Sequence, residues 1–169
     1  MRTATRTIAV TAAATMLGGL ALVSSQNAMA ATVKKEVPSA CRPANHGARI
    51  TQGSASAGHS HYRVTLVAPR GYASCELAGS PADVRFYHHG HLIGITAGRY
   101  GPQKDVVVFG PGRPVHFDIQ VRNNSHGTAA DEAAFPLRTP HGVIPGRSTA
   151  HGRLTVTAGT VVGPVRPGA

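Results

Sequence analysis

Hydrophobic and polar residues alternate along much of the chain beyond residue 40. The clearest run is "VHFDIQVR" at 115–122, in which Val115, Phe117, Ile119 and Val121 would share one face. A two-residue period of this kind is typical of strands that bury one face and expose the other. The pattern therefore predicts β-strands, and helical periodicity is almost absent.

Turn signals separate these alternating runs. The chain contains 20 glycines and 12 prolines, in stretches such as "APRG", "AGSP" and "TPHG", which favour turns. Short, regularly spaced strands with such turns predict an all-β sandwich. We predict seven or eight strands, near 48–54, 61–68, 82–88, 91–97, 104–109, 114–122, 134–139 and 152–161. Only "TAADEAAF" is predicted to form a helical turn.

The first thirty residues are predicted to be a secretory signal peptide. Arg2 and Arg6 form a basic start, residues 8–23 carry no charge, and Ala28 and Ala30 are small residues at the positions that signal peptidase accepts. A membrane anchor would need about 20 apolar residues and would not be cleaved. We therefore expect a secreted, extracellular protein without a stable membrane anchor.

The remaining chain is long enough for one domain. We expect a flexible leader at 31–40, a β-sandwich domain at 41–162, a frayed tail at 163–169, and a monomer. Its two cysteines, Cys41 and Cys75, permit one pairing, which an oxidising compartment favours. The bond would close a loop of about 35 residues and contribute roughly 3–4 kcal/mol on the loop-entropy model.

The charge balance is strongly basic. The chain has 17 Lys and Arg residues and seven Asp and Glu residues. Removal of Arg2 and Arg6 with the signal peptide leaves 15 basic residues, so the mature charge is +8. Nucleic acid is nevertheless not expected as a partner, because the arginines are spread along the chain and no tryptophan offers a stacking platform. A basic exported domain would still attract anionic cell-envelope polymers, and salt would weaken that attraction.

Two histidine clusters suggest a metal site. In "HSH", His59 and His61 would share one face of a strand. In "YHHGH", His88, His89 and His91 surround a predicted hairpin tip. His88 and His89 would tend to point apart if they were still in strand. A Zn²⁺ or Cu²⁺ site would need the two clusters to meet, because zinc takes three or four protein ligands. Otherwise these histidines are solvated loop residues.

A C-x-L-x-G-x-P stretch gives the chain a family likeness. The motif is carried by Cys75, Leu77, Gly79 and Pro81. A Pro-Gly pair at 111–112 then precedes an alternating strand. Over about 41–160 the chain resembles the secreted bacterial family called domain of unknown function 4232. The resemblance implies an immunoglobulin-like β-sandwich and export, and it implies no catalytic or binding residues. Many members carry a second cysteine pair, which this chain lacks.

These observations favour a non-enzymatic exported domain without a cofactor. It would bind an extracellular protein, a glycan or an anionic envelope polymer through end loops, namely "PRGYAS", "YHHGH" and "AGRYGPQKD". The alternative is a Zn- or Cu-binding domain that uses both histidine clusters. An extracellular hydrolase is less favoured, since the chain contains neither G-x-S-x-G nor H-E-x-x-H.

Overall fold

Strands dominate the part of the chain that the computed structural model describes, residues 36–56, 58–123 and 126–169. In these residues a single short 3₁₀ turn, Pro43–Asn45, accompanies the strands. The predicted all-β class is confirmed. The predicted signal peptide, residues 1–30, lies outside the described residues. Among the described residues, no helix is long and apolar enough to cross a membrane.

The described residues form fourteen strands. They are β1 (Gly47–Gln52), β2 (His59–Val67), β3 (Cys75–Ala78), β4 (Arg85–His88), β5 (His91–Ile93), β6 (Gly98–Arg99), β7 (Val106–Phe109), β8 (Val115–Arg122), β9 (Thr128–Phe135), β10 (Arg138–Thr139), β11 (Gly142–Val143), β12 (Ser148–Val156), β13 (Val161–Val162) and β14 (Arg166–Pro167). An immunoglobulin-like sandwich of seven or eight strands is therefore not confirmed. Five of the strands have only two residues, too few to show a period of two in the sequence.

Ten strands form one sheet, in the order β5-β4-β9-β12-β1-β2-β8-β13-β6, with β14 also paired to β8. Most neighbours are antiparallel, but β1 runs parallel to β12, with Arg49 beside His151. Two small sheets, β3-β7 and β10-β11, complete the fold.

The large sheet curls so that its inner face packs against itself. Phe117 on β8 and Phe135 on β9 are separated by three intervening strands, yet their rings meet edge to face, with centroids 4.9 Å apart. Such an edge-to-face pair contributes about 0.5–1.5 kcal/mol beyond burial. The curl encloses a single hydrophobic core, to which the β3-β7 sheet adds Leu77 and Phe109.

The segment "TAADEAAF" is strand β9, so the predicted helical turn is wrong. Alanine favours helices, but β9 pairs with β4 on one edge and β12 on the other. Ala133 is fully buried there. Backbone pairing on both edges and burial outweigh the intrinsic preference, which is under 1 kcal/mol per residue.

The predicted frayed ends are also held in place where the structure describes them. In the tail, Val165 is buried, and β14 pairs with β8, with Arg166 opposite His116. In the leader, the backbone N–H of Ala73 donates to the carbonyl of Pro38 at 2.9 Å, and Ala40 is fully buried. Both ends thus contribute to the packed domain.

The predicted disulfide between Cys41 and Cys75 is confirmed. The two Cα atoms are 6.0 Å apart, and 34 positions separate the residues in the chain. The bond ties the segment before β1 to the start of β3, next to the core.

Candidate metal site at the hairpin tip

The stretch "YHHGH" forms a hairpin, as predicted. Strands β4 and β5 pair with His88 opposite His91, so the connection has two residues. His89 has φ 49° and Gly90 has φ 78°. Positive φ at both central residues is the mark of a type I′ turn, whose twist matches that of the flanking strands.

The turn brings the two neighbouring histidines together instead of pointing them apart. Their rings lie 4.1 Å apart and are tilted by 46°. The two side chains would point apart only if both residues were still in the strand. His89 has left it, so the alternation of side chains ends at His88. Both rings face Asp131, the carboxylate of β9 that lies beside the end of β4.

Asp131 is held by the backbone of the hairpin tip. The N–H of His89 donates to both carboxylate oxygens, at 3.3 and 3.0 Å. This hydrogen bond, with smaller contributions from the two imidazoles, holds the pKa of Asp131 below its usual range. The side chain is therefore an anion at neutral pH and available as a ligand.

The three side chains converge at distances that suit a metal ion. Oδ2 of Asp131 lies 3.3 Å from Nδ1 of His88 and 3.5 Å from Nδ1 of His89. One ligand atom from each residue lies within 4.8 Å of the others. Two atoms bound to a tetrahedral Zn²⁺ at about 2.0–2.1 Å would be roughly 3.3 Å apart.

Nδ1 of His88 is a polar atom whose hydrogen-bonding capacity the described residues leave unused. The atom is shielded from solvent and forms no hydrogen bond with any residue that the structure describes. It stands at ion-pair distance from Asp131, but without hydrogen-bond geometry. A shielded nitrogen without a hydrogen bond is costly unless a ligand or a proton occupies it.

The group lies at the edge of a surface cavity. A cavity of about 710 Å³ adjoins it, lined in part by Gln52, Tyr62, Arg153 and Leu154. Leu154 and Tyr62 belong to the core-facing side of their strands. The hydroxyl of Tyr62 accepts the N–H of Thr155 at 3.1 Å and so joins β2 to β12 at the bottom of this cavity.

The "HSH" cluster does not join this group. His59 and His61 lie on β2, on the face opposite the buried Tyr62, and three strands separate β2 from β4 in the sheet. His61 Nε2 instead bonds the hydroxyl of Ser56 at 2.7 Å. His91 also lies outside the described group of three. The predicted union of the two clusters is therefore not formed.

Sequence reasoning missed Asp131. The residue is the fourth in "TAADEAAF" and lies 42 positions from His89. Only the pairing of β4 with β9 brings it to the histidines. A lone aspartate in an alanine-rich segment carries no motif that would have marked it.

Comparison with known proteins identifies the family of this chain. A comparison with curated proteins finds no match, and a comparison with solved structures finds none either. The family model described as "Domain of unknown function (DUF4232)" matches residues 41–167. This range begins at the disulfide cysteine, ends in β14 and contains the hairpin tip and Asp131. The chain therefore belongs to the DUF4232 family, as its C-x-L-x-G-x-P stretch indicated.

Proposed function

We propose that this chain is an exported, non-enzymatic binding domain that holds a transition-metal ion, Zn²⁺ or Cu²⁺, at its hairpin tip. The ligands are His88, His89 and Asp131. The observation that carries the proposal is the convergence of three ligand atoms within 4.8 Å, one of which is shielded and without a hydrogen bond. This replaces the site predicted from the two histidine clusters with one that a β9 carboxylate completes.

The donor set agrees with these two metals. Imidazole nitrogen suits both Zn²⁺ and Cu²⁺, and a carboxylate oxygen is a common third ligand. Three protein ligands leave a coordination position open toward the neighbouring cavity. Water would fill that position, or a donor atom from a bound partner would replace it.

Exposure favours binding over catalysis. The side chain of His89 is 79% exposed. Metal-assisted catalysis depends on a shaped, water-excluding cavity around the ion, and a ligand this exposed does not provide one. The site suits reversible capture of an ion, or attachment of a partner through the ion.

We also propose that the scaffold is immunoglobulin-like and that the protein is exported. The family resemblance supports an immunoglobulin-like scaffold, and the predicted signal peptide together with the disulfide supports export. Of the three end loops predicted to bind, the hairpin tip is the one that carries convergent ligands. Binding of an extracellular protein, a glycan or an envelope polymer stays a prediction.

Calorimetric titration of Zn²⁺ and of Cu²⁺ into chelator-stripped protein at pH 7.5 tests the site. We expect one equivalent to bind with micromolar or tighter affinity. The triple variant His88→Gln, His89→Gln, Asp131→Asn should lose at least tenfold in affinity. The matched control changes the histidines outside the group, His59, His61 and His91, to Gln and should bind like the parent.

Equal losses in both variants would show that the histidines bind metal without a defined site. Absence of heat in the parent protein would overturn the proposal outright. A second titration at pH 5.5 should show weaker binding, because protons compete with the metal for the imidazole nitrogens.

A further inference from the structure

The outer face of the large sheet carries a row of basic side chains. Arg49 on β1 lies beside His151 on β12 and opposite Thr65 on β2. Thr65 lies opposite His116 on β8, which lies opposite Arg166 on β14. Four of these five adjoining strands thus present a basic residue at the same level of the sheet.

The row faces away from the core. Each member is next in the chain to buried residues, namely Ala150, Ile50, Val64, Leu66, Val115, Phe117 and Val165. Arg49 and Arg166 are exposed. Neighbouring strands are about 4.8 Å apart, so the row extends over roughly 19 Å.

Arg63 adds a further positive charge on β2, two residues before Thr65 and on the same face. It lies on β2 between Thr51 of β1 and Asp118 of β8. Among the described residues, two carboxylates on this face lie close to basic residues: Asp118 lies 3.5 Å from Arg63, and Glu132 lies 3.7 Å from His151.

The side chain of Arg49, second in the row, forms no hydrogen bond or ion pair with any residue that the structure describes. Beside it runs a shallow depression lined by Gly47, Ala48, Thr65 and Val67. An arginine without an internal partner, next to a depression on a flat and basic surface, is free to engage an outside anion.

We propose that this face binds a phosphodiester-linked anionic polymer of the cell envelope. The arginines are scattered in the sequence, but the sheet places Arg49 on β1, Arg63 on the neighbouring β2 and Arg166 on β14, with only β8 between β2 and β14. The guanidinium group matches phosphate oxygens with two parallel hydrogen bonds. An extended polymer can follow the row across the strands and contact several of these groups in succession.

The same face fits a nucleic acid poorly. Proteins that hold single strands stack the bases on aromatic side chains interleaved with the basic ones. The five positions of the row, from His151 to Arg166, include no Phe, Tyr or Trp. A polymer without bases needs only the charges, which this face supplies.

Binding of a synthetic glycerol phosphate oligomer, measured by calorimetry at several salt concentrations with a chelator present, tests the inference. The variant Arg49→Gln, Arg63→Gln, Arg166→Gln should lose at least tenfold in affinity at low salt. Its slope of log affinity against log salt should fall by about 2, since three phosphate contacts to a single strand release roughly that number of counterions.

The matched control removes the same charge elsewhere, through Arg42→Gln, Arg70→Gln and Lys104→Gln, three exposed residues outside the large sheet. This control should keep its affinity within about threefold. Circular dichroism and thermal melting verify that both variants fold.

Three results would overturn the inference. Equal losses in both variants would show attraction by net charge alone. Failure of the parent protein to bind the oligomer at low salt would show that a phosphodiester-linked polymer is not the partner. Tighter binding of duplex DNA than of the oligomer would identify a nucleic-acid surface instead. The chelator keeps the outcome independent of the hairpin metal site.

Discussion

Gly79 shows why the C-x-L-x-G-x-P stretch contains a glycine. Its φ is +66°, and a Cβ atom there would lie 2.6 Å from the carbonyl oxygen of Gln103. The amide of Gln103 accepts the N–H of Ser80 at 3.0 Å and donates to the Ser80 hydroxyl at 3.0 Å. The glycine therefore lets the loop before β7 pack directly on the stretch after β3.

Gly79→Ala should lower the free energy of unfolding by about 2–4 kcal/mol, because the strained backbone and the overlap with Gln103 both add cost. Gly112→Ala is the matched control, since φ is +72° there but nothing lies within 4 Å of the added Cβ. The control should lose only about 1 kcal/mol. Urea denaturation measures both values, and equal losses would contradict this account of the motif.

His46 is the partly buried histidine that joins the leader to β12. Nδ1 lies 2.8 Å from the carbonyl of Ala40, and Nε2 lies 2.8 Å from the hydroxyl of Ser148. Its ring also meets Phe109 edge to face, with centroids 5.4 Å apart. Burial lowers the pKa of His46 from 6.5, and the backbone carbonyls of Ala40 and Arg42 oppose this only in part.

A lowered pKa in the folded state means that the unfolded chain binds this proton more readily. Stability from His46 is thus complete above about pH 6.5 and is lost as the pH falls below it, with a slope of at most about 1.4 kcal/mol per pH unit. His46→Gln should flatten the dependence of unfolding free energy on pH between 7 and 5. The exposed His141→Gln should leave it unchanged, and equal slopes in the parent and His46→Gln would disprove the assignment.

At the scale of the elements, the hairpin tip holds a histidine at a position of positive φ. A type I′ turn strongly prefers Asn-Gly, because asparagine tolerates positive φ better than most residues. Here His89 occupies the first position with φ 49°. Strain of this kind is common where a side chain serves binding and not folding.

His89→Asn should therefore raise the free energy of unfolding by about 0.5 kcal/mol and weaken Zn²⁺ binding at least tenfold. Thermal melting of the metal-free protein and calorimetry measure the two effects. His91→Asn changes a residue beyond the turn. It should change neither the free energy of unfolding nor the Zn²⁺ affinity. An unchanged Zn²⁺ affinity in His89→Asn would remove His89 from the ligand set.

Elements with a strong alternating pattern were the ones that sequence predicted well. Strand β8 (Val115–Arg122) matches the predicted 114–122, and β1 (Gly47–Gln52) and β2 (His59–Val67) lie within two residues of their predicted starts. Strand β9 was missed because Asp131, Glu132 and four alanines give no period of two. The turn of the hairpin was predictable because Gly90 supplies positive φ at no steric cost.

At the scale of the whole molecule, the disulfide ties the segment before β1 to the start of β3. Changing Cys41 and Cys75 to Ala should lower the free energy of unfolding by about 3–4 kcal/mol, the loop-entropy value for about 35 residues. Reduction of the parent protein should give a similar loss, which controls for packing changes at the two positions. A loss below about 1 kcal/mol in both cases would mean that the unfolded chain is already restricted.

The sequence by itself determined the all-β class, the disulfide, the hairpin tip and the family. Each of these follows from a local signal: alternation, cysteine count, a glycine in a turn, or a short motif. The sheet order, the carboxylate beside the two histidines and the basic row on the outer face were decided only by the tertiary structure. They depend on which strands become neighbours, and strand pairing brings together residues far apart in the chain, such as His89 and Asp131 or His116 and Arg166. Local periodicity carries no information about such partners.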